Sequence, residues 1–181
     1  MNDLVVYNSA GRITQHYGGD HHGVDIGYAS NENYNIVYSN CAGTVVEVID
    51  GMDNDTSATG TASWGNYVLI RHSNGYYSRY AHLKKNTIVV SVNQVVGNTE
   101  YLAIMGDSGR AFGRHLHFEV ATGYSSSTRI NPEPYLIATI DGSTPVPVPI
   151  TPPTPPTPPT PVTRIGSKFN FVLFRRNRFI R

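Results

Sequence analysis

Short apolar segments rich in β-branched and aromatic residues recur along the chain, separated by polar and glycine-rich stretches. Their lengths and spacing fit β-strands, and no helical period is sustained over three turns. The segments predicted as strands are 36–39, 43–50, 67–72, 76–83, 87–92, 101–105 and 115–121. The pattern therefore predicts a mainly β fold, built as a compact antiparallel sheet.

The connections between these segments carry two further signals. Asn74-Gly75 separates two predicted strands and is a strong indication of a tight hairpin turn. Residues 51–65 form a polar loop whose length favours a functional or mobile segment over a plain connection. Trp64, near its end, is expected either to line a groove or to anchor the loop by hydrophobic packing.

Composition divides the chain into three parts. We predict a domain at 1–141, a Thr/Pro-rich linker at 142–163 and a basic, aromatic tail at 164–181. The Thr-Pro-Pro repeats favour an extended polyproline II spacer of about 50 Å, at ~3.1 Å per residue. For the tail we favour docking, either as a strand added to a partner's sheet or at an anionic surface, over a solvated basic end.

The charge is distributed unevenly between these parts. Residues 1–141 contain eight basic and thirteen acidic residues, a net charge of −5, whereas 142–181 contain six basic and no acidic ones. An acidic domain argues against a nucleic-acid partner. The single cysteine, Cys41, excludes an internal disulfide. We expect no secretory signal peptide and no transmembrane helix, because the basic n-region and the long apolar runs that they need are missing.

The candidate chemistry lies in the histidines. His115 and His117 occupy alternate positions of a predicted strand and therefore share one face. His21 and Asp25 would lie about 13 Å apart in an extended strand, but Gly23 allows a bend that brings them together. Nitrogen and carboxylate ligands without cysteine favour a catalytic zinc site with three protein ligands, although manganese and iron suit the same ligand types.

Four motifs occur in an order that resembles the lysostaphin-type (LytM-like) zinc endopeptidases of bacterial peptidoglycan. They are HHGVDIG, GNYVLIRHSNGYYSRYAHL, IMGDSGRAFGRHLHFEV and NPEPYL, and the resemblance covers about residues 10–137. It implies an antiparallel β-sheet metallopeptidase domain crossed by a substrate groove. It also implies one zinc ion (Zn2+) per chain, with His21, Asp25 and His117 as its ligands.

The resemblance also assigns roles around the metal. It implies that His82 and His115 are catalytic histidines that do not bind the ion, and it leaves open how they divide the work. In relatives, a tyrosine upstream of the first ligand helps to stabilise the oxyanion, and Tyr17 is the candidate for that role.

Other residues near these motifs are expected outside the metal site. His16 and His72 match no ligand position and are predicted to be structural, and His22 is expected in the groove or in solvent. Many relatives have a small residue and a proline before HLH, which this chain lacks. Instead, Arg110 and Arg114 add positive charge near the predicted groove.

The sequence thus predicts a zinc metalloendopeptidase that hydrolyses peptide stems or cross-bridges of peptidoglycan. The alternative is a catalytically silent wall-binding protein or a structural virion component of the same fold. Without an export signal, a wall hydrolase needs another route to its substrate, such as a bacteriophage tail or release at lysis. We therefore expect a location in the virion or outside the cell at the wall, with residues 164–181 as the contact to other tail proteins.

Overall fold

The computed structural model describes residues 12–27 and 35–133. These residues contain ten β-strands and short 3₁₀ turns, and no α-helix lies within the two ranges. Nor does any helix of these ranges have the length and apolar character to cross a membrane. The strands are β1 (Ile13–Gln15), β2 (Val24–Gly27), β3 (Ile36–Tyr38), β4 (Gly43–Ile49), β5 (Asn66–His72), β6 (Tyr77–Leu83), β7 (Val95–Val96), β8 (Tyr101–Ile104), β9 (His115–Ala121) and β10 (Arg129–Ile130).

The strands form one large sheet and one small one. The large sheet has the order β1-β2-β9-β6-β5-β4-β7, with β10 paired to β9, and β3 pairs with β8. Every strand pair is antiparallel. The predicted mainly β, antiparallel architecture is therefore confirmed, and strand β9 has the bounds that the sequence pattern predicted.

Side chains alternate between two faces of the large sheet. Val24, Phe118 and Tyr80 are cross-strand partners on one face, and all three are buried in the main core, which includes residues of β3 and β8. Full burial of such a side chain contributes about 1.5–3 kcal/mol. Asp25 and His117 are cross-strand partners on the opposite face. The candidate site therefore lies on the face that the main core leaves open.

The hairpin turn between β5 and β6 is confirmed. Gly75 adopts a φ of 84°, in the left-handed region that glycine tolerates. The His72 amide donates to the Tyr76 carbonyl at 2.8 Å, and the Gly75 amide donates to the His72 carbonyl at 3.0 Å. These bonds set the register of β5 against β6.

The prediction of a strand at 87–92 is wrong. The Val89 amide donates to the Leu102 carbonyl at 3.0 Å, but the Ser91 amide turns to the side chain of Gln94, also at 3.0 Å. A continuous ladder is therefore interrupted, and the apolar residues of the segment pack against the main core instead. The strand in this region is β7, two residues long.

The 51–65 loop is fixed against the loop that precedes β9. The Asn54 side chain donates to the carbonyls of Asp107 and Ala111, at 2.7 and 2.8 Å. The loop ends in the 3₁₀ turn Gly60–Trp64. Both sequence-based alternatives for Trp64 hold, because its ring lines a groove and also packs against a small apolar cluster on this face.

Candidate metal centre

A groove of about 890 Å³ crosses the open face of the large sheet. The five histidine and aspartate residues predicted for the site line it together, namely His21, Asp25, His82, His115 and His117. Arg110 and Arg114 also line the groove, as expected from the sequence, and the exposed ring of Phe112 lies between them in the chain. The groove therefore combines the histidine cluster with positive charge.

The three predicted ligands converge within the groove. The distances are 3.0 Å from His21 Nε2 to Asp25 Oδ1, 2.8 Å from Asp25 Oδ1 to His117 Nδ1, and 3.1 Å between the two ring nitrogens. Zinc binds histidine nitrogen and aspartate oxygen at ~2.0–2.2 Å, so ligand atoms that share one tetrahedral ion lie about 3.3 Å apart. The spacing of these three atoms fits such an ion.

In His21 and His117, the hydrogen bond of the second ring nitrogen determines whether the converging nitrogen carries a proton or a lone pair. His21 Nδ1 lies 2.9 Å from the His16 carbonyl oxygen, and His117 Nε2 lies 3.1 Å from Glu119 Oε1. Both partners only accept, so Nδ1 of His21 and Nε2 of His117 carry the protons. In the neutral rings, His21 Nε2 and His117 Nδ1 then offer lone pairs toward the Asp25 carboxylate. Three converging electron pairs require a cation between them, and the chemistry of the donor set suits a metal.

The pKa values of Asp25 and His117 also indicate that the cluster favours a positive charge between its donor atoms. Burial raises the pKa of Asp25, but hydrogen bonds from His117 and His21 outweigh it, so the net pKa lies well below its usual range. Burial lowers the pKa of His117, yet the carboxylates of Asp25 and Glu119 reverse this and raise it to about 9. Without a metal, the two carboxylates therefore favour the protonated form of His117.

Local backbone geometry brings His21 and Asp25 together. Gly18 and His21 exchange backbone hydrogen bonds of 2.9 and 3.0 Å across a tight turn, and the chain bends at Gly23 before β2 begins. The predicted bend is present, but Gly23 has no left-handed φ. Its lack of a side chain serves close approach instead, because a Cβ there would lie 2.6 Å from the Phe118 carbonyl oxygen and 2.8 Å from the His117 ring.

His82 and His115 form a pair beside the three ligands, with ring centroids 4.6 Å apart. His82 Nδ1 donates to the Ser108 carbonyl, and His115 Nδ1 donates to the Gly113 carbonyl, each at 2.8 Å. Both rings therefore keep Nε2 as an acceptor when neutral. Burial is the largest cause that lowers the pKa of His82, to about 4, so this ring is neutral at pH 7.

A β-bulge turns His82 toward the groove. Its neighbour Tyr80 faces the core, and strict alternation would send the His82 side chain to the core as well. The pairing of β5 with β6 is irregular here, and His82 has a φ of 58°. Bulges re-aim side chains next to functional sites, and a non-glycine residue in this region stores strain. The bulge explains how a residue two after Tyr80 reaches the opposite face.

The remaining candidates take different places. The Tyr17 ring packs against the main core and is not among the described residues that line the groove, so its oxyanion role stays a prediction. His22 is exposed and lines the groove, as expected. His16 is exposed and pairs with Glu133 at 3.2 Å. His72 is buried and lies 2.8 Å from Ser78 Oγ, in a structural position.

Sequence reasoning missed Glu119. It lies two residues after His117 on β9, so the alternation that joins His115 to His117 continues to it. Glu119 is only 2% exposed and contacts His117 directly. Extending the same period by one step would have placed it on the face of the site.

Fold and site together define a β-sheet protein with a candidate centre for one metal ion, at which two histidines and an aspartate converge in an open groove. Residues 19–132 match peptidase family M23, and the chain belongs to this family. Lysostaphin from Staphylococcus simulans has a similar fold, with a TM-score of 0.61 and 22% identity, over 81% of this chain and 59% of that one. A putative M23 peptidase from Pseudomonas aeruginosa gives 0.54 and 23%, over 77% and 51%.

Curated relatives match shorter stretches. The peptidoglycan DD-endopeptidase ShyA of Vibrio cholerae is 45% identical over 56 residues, which is 31% of this chain and 13% of that protein. The DD-carboxypeptidase/endopeptidase Mpg of Neisseria meningitidis is 35% identical over 85 residues, 45% of this chain and 16% of that protein. The matches thus span less than a fifth of the length of these two relatives.

Proposed function

We propose that this chain is a zinc-dependent endopeptidase that hydrolyses peptide stems or cross-bridges of bacterial peptidoglycan. One observation carries the proposal: two ring nitrogens and a carboxylate converge in a groove, beside two histidines whose Nε2 atoms are acceptors. Membership of the M23 peptidases supports the reaction class. Similarity to ShyA, a peptidoglycan DD-endopeptidase, and to Mpg, a DD-carboxypeptidase/endopeptidase, supports the substrate class.

In the proposed reaction, His21, Asp25 and His117 would hold the ion. When bound, zinc lowers the pKa of a water molecule toward ~7 and polarises the scissile carbonyl. His82 and His115 accept a proton at Nε2 and return it to the leaving amine, as general acid–base catalysis requires. The carbonyls of Ser108 and Gly113 hold the two rings in the necessary orientation.

The groove also favours a particular kind of peptide. Arg110 and Arg114 line it, and positive side chains in a cleft attract negatively charged groups. Asp20, Asp25 and Glu119 line the groove as well, so a free carboxylate of the peptide suits the part near Arg110 and Arg114 rather than the whole groove. The exposed Phe112 ring offers apolar contact area between the two arginines.

We propose the bacterial cell wall as the place of action. The predicted virion or tail association depends on residues 142–181, which lie outside the described residues, and it stays a prediction, as do the domain bounds at 141 and 163. A catalytically silent wall-binding protein is the alternative, and the experiment below distinguishes the two.

The first test replaces a ligand. His117→Ala should abolish both bound zinc and hydrolysis of purified peptidoglycan, because two ligands leave the ion underbound. His16→Ala is the matched control, since this histidine is exposed and only its backbone carbonyl contacts the site. Zinc is measured by elemental analysis, and hydrolysis by release of soluble fragments with and without a chelator.

Two results would overturn the proposal. A full equivalent of zinc in His117→Ala would remove the ligand assignment. Stoichiometric zinc in the unaltered protein, with peptidoglycan bound but never cleaved, would favour the silent alternative.

A further inference from the structure

We infer that Glu119, held by Arg79 and Trp64, is a positioning residue that fixes the ring of His117 for metal binding. The inference rests on the proposed zinc site and extends it to residues that do not touch the ion. It assigns a role to a buried charge cluster beneath the groove.

Glu119 is the centre of four hydrogen bonds. Its Oε1 accepts from His117 Nε2 at 3.1 Å, from Trp64 Nε1 at 3.0 Å and from an Arg129 guanidinium nitrogen at 2.9 Å. Its Oε2 accepts from an Arg79 guanidinium nitrogen at 2.6 Å. Donors on both oxygens leave the carboxylate little freedom to rotate. The His117 ring therefore meets an acceptor whose position is fixed.

The Arg79 side chain is buried, and its charge is directed at Glu119. It is 7% exposed, and its guanidinium carbon lies 3.6 Å from the centre of the Trp64 ring. Arg79 and Glu119 are cross-strand partners on β6 and β9. Its Nε is buried and lacks a hydrogen-bond partner within the described part of the chain. The arginine is thus incompletely satisfied, and its one ion pair is with Glu119.

Fold stability alone does not account for this cluster. A buried ion pair is often replaced by apolar residues of similar volume with no loss of stability, because desolvation offsets the attraction. The pair here lies on the groove face, and Glu119 contacts the ligand His117 directly. A role in positioning the ligand explains why charge is buried at this place.

The expected effect on His117 is specific. A carboxylate that accepts from Nε2–H selects the ring form whose lone pair is on Nδ1, the atom that faces Asp25. It also makes the ligand nitrogen more basic. Since Trp64 lines the groove as well, the groove wall and the metal ligand share one carboxylate.

The test compares two glutamates in one row of the sheet. Glu119→Gln keeps the shape but removes the charge. Glu47→Gln is the control, because Glu47 lies in the same cross-strand row, is half-buried and binds the hydroxyls of Tyr67 and Tyr124 rather than a histidine. The measurements are zinc affinity by chelator competition, the visible spectrum of the cobalt(II)-substituted protein, and thermal unfolding of the metal-free protein.

We expect Glu119→Gln to bind zinc about 10–100-fold more weakly, the range for residues that orient a ligand. Its cobalt spectrum should shift, while Glu47→Gln keeps the affinity and spectrum of the unaltered protein. Equal affinity and an identical spectrum in a folded Glu119→Gln would overturn the inference, as would an equal loss in Glu47→Gln. Failure of the unaltered protein to bind zinc would instead refute the proposed function.

A second variant covers the case in which Glu119→Gln does not fold. Trp64→Phe keeps a smaller apolar ring over Arg79 and removes the Nε1–H donor to Glu119. It should weaken zinc binding in the same direction, by a smaller factor. Unchanged zinc affinity in folded Trp64→Phe would overturn the inference on its own.

Discussion

At the scale of single residues, the nitrogen that a histidine presents is decided by the partner of its other nitrogen. Each of the four histidines at the centre has such a partner. For His21, His82, His115 and His117 these are, in that order, the carbonyls of His16, Ser108 and Gly113 and the carboxylate of Glu119. Three partners are backbone groups that substitution does not remove. The orientation of His117 alone depends on a side chain, so it is the most sensitive of the four to mutation.

The two histidines outside the ligand set should affect catalysis without affecting the metal. His82→Ala and His115→Ala should each retain one zinc per chain and lose about 10²–10⁴-fold in turnover, the usual size of general acid–base help. Elemental analysis and the initial rate on a soluble cross-linked peptide measure the two quantities. His22→Ala is the control, since its exposed side chain lines the groove and is not one of the three converging donor groups.

Near-normal turnover in both single variants would remove the catalytic assignment. Loss of zinc in either variant would instead show that the histidine belongs to the ligand set, beyond the three residues whose donor atoms converge.

The resemblance of the sequence motifs to a known family predicted much of the site. His21, Asp25 and His117 were proposed as ligands through a resemblance, and the structure brings their donor atoms within 3.1 Å of one another. The direction of His82 could not be predicted, because the bulge that re-aims it arises from strand pairing. Glu119 is different: the alternation of β9 places it on the face of the site, but its role depends on neighbours in space that the sequence does not show.

At the scale of elements, the four seven-residue strands and the shorter β3 and β8 followed from the sequence, whereas β1, β2, β7 and β10 did not. β5, β6 and β9 each span seven residues and match segments with a clear apolar pattern. β2 was not foreseen, since only four residues form it and three of them are buried, which leaves no alternation to detect. It exists because β9 pairs with it. The same dependence on partners explains why the apolar segment 87–92 did not become a strand.

The pairing of β2 with β9 sets the distance between Asp25 and His117. The absence of a side chain at Gly23 permits this close pairing. Gly23→Ala should lower the free energy of unfolding by about 1–3 kcal/mol, the range for overpacking, and should weaken zinc binding. The added Cβ would displace the His117 ring or push the Phe118 carbonyl away. Thermal unfolding and chelator competition measure the two effects.

Gly123→Ala provides the control for this prediction. A Cβ there would meet only the Thr128 side chain at 3.4 Å, far from the groove. Its stability and zinc affinity should stay close to those of the unaltered protein. If Gly23→Ala behaved in the same way, the close approach of β2 to β9 would not be needed for the site.

At the scale of the whole molecule, the last described residues contact the first described segment. The Glu133 carboxylate, at their end, accepts from the Tyr17 amide at 2.9 Å and pairs with His16. β10, just before it, extends the pairing of β9. The first and last described segments are thus joined next to the turn that carries His21. The described residues, 12–27 and 35–133, contain the groove, the three converging donor groups and the main core.

The domain boundary predicted at residue 141 from composition stays a prediction, and truncation tests it. A fragment of residues 1–141 should bind one zinc ion and unfold at the same temperature as the full chain, because the contacts that hold the core and the ligands lie within it. It should also cleave a soluble cross-linked peptide at the full rate. If the stiff Thr/Pro-rich linker and basic tail dock the enzyme, the fragment should lose association with intact cell walls or particles, measured by co-sedimentation. A fragment that loses zinc or soluble activity would show that residues 142–181 belong to the catalytic fold, and full retention of co-sedimentation would show that the tail is not the docking element.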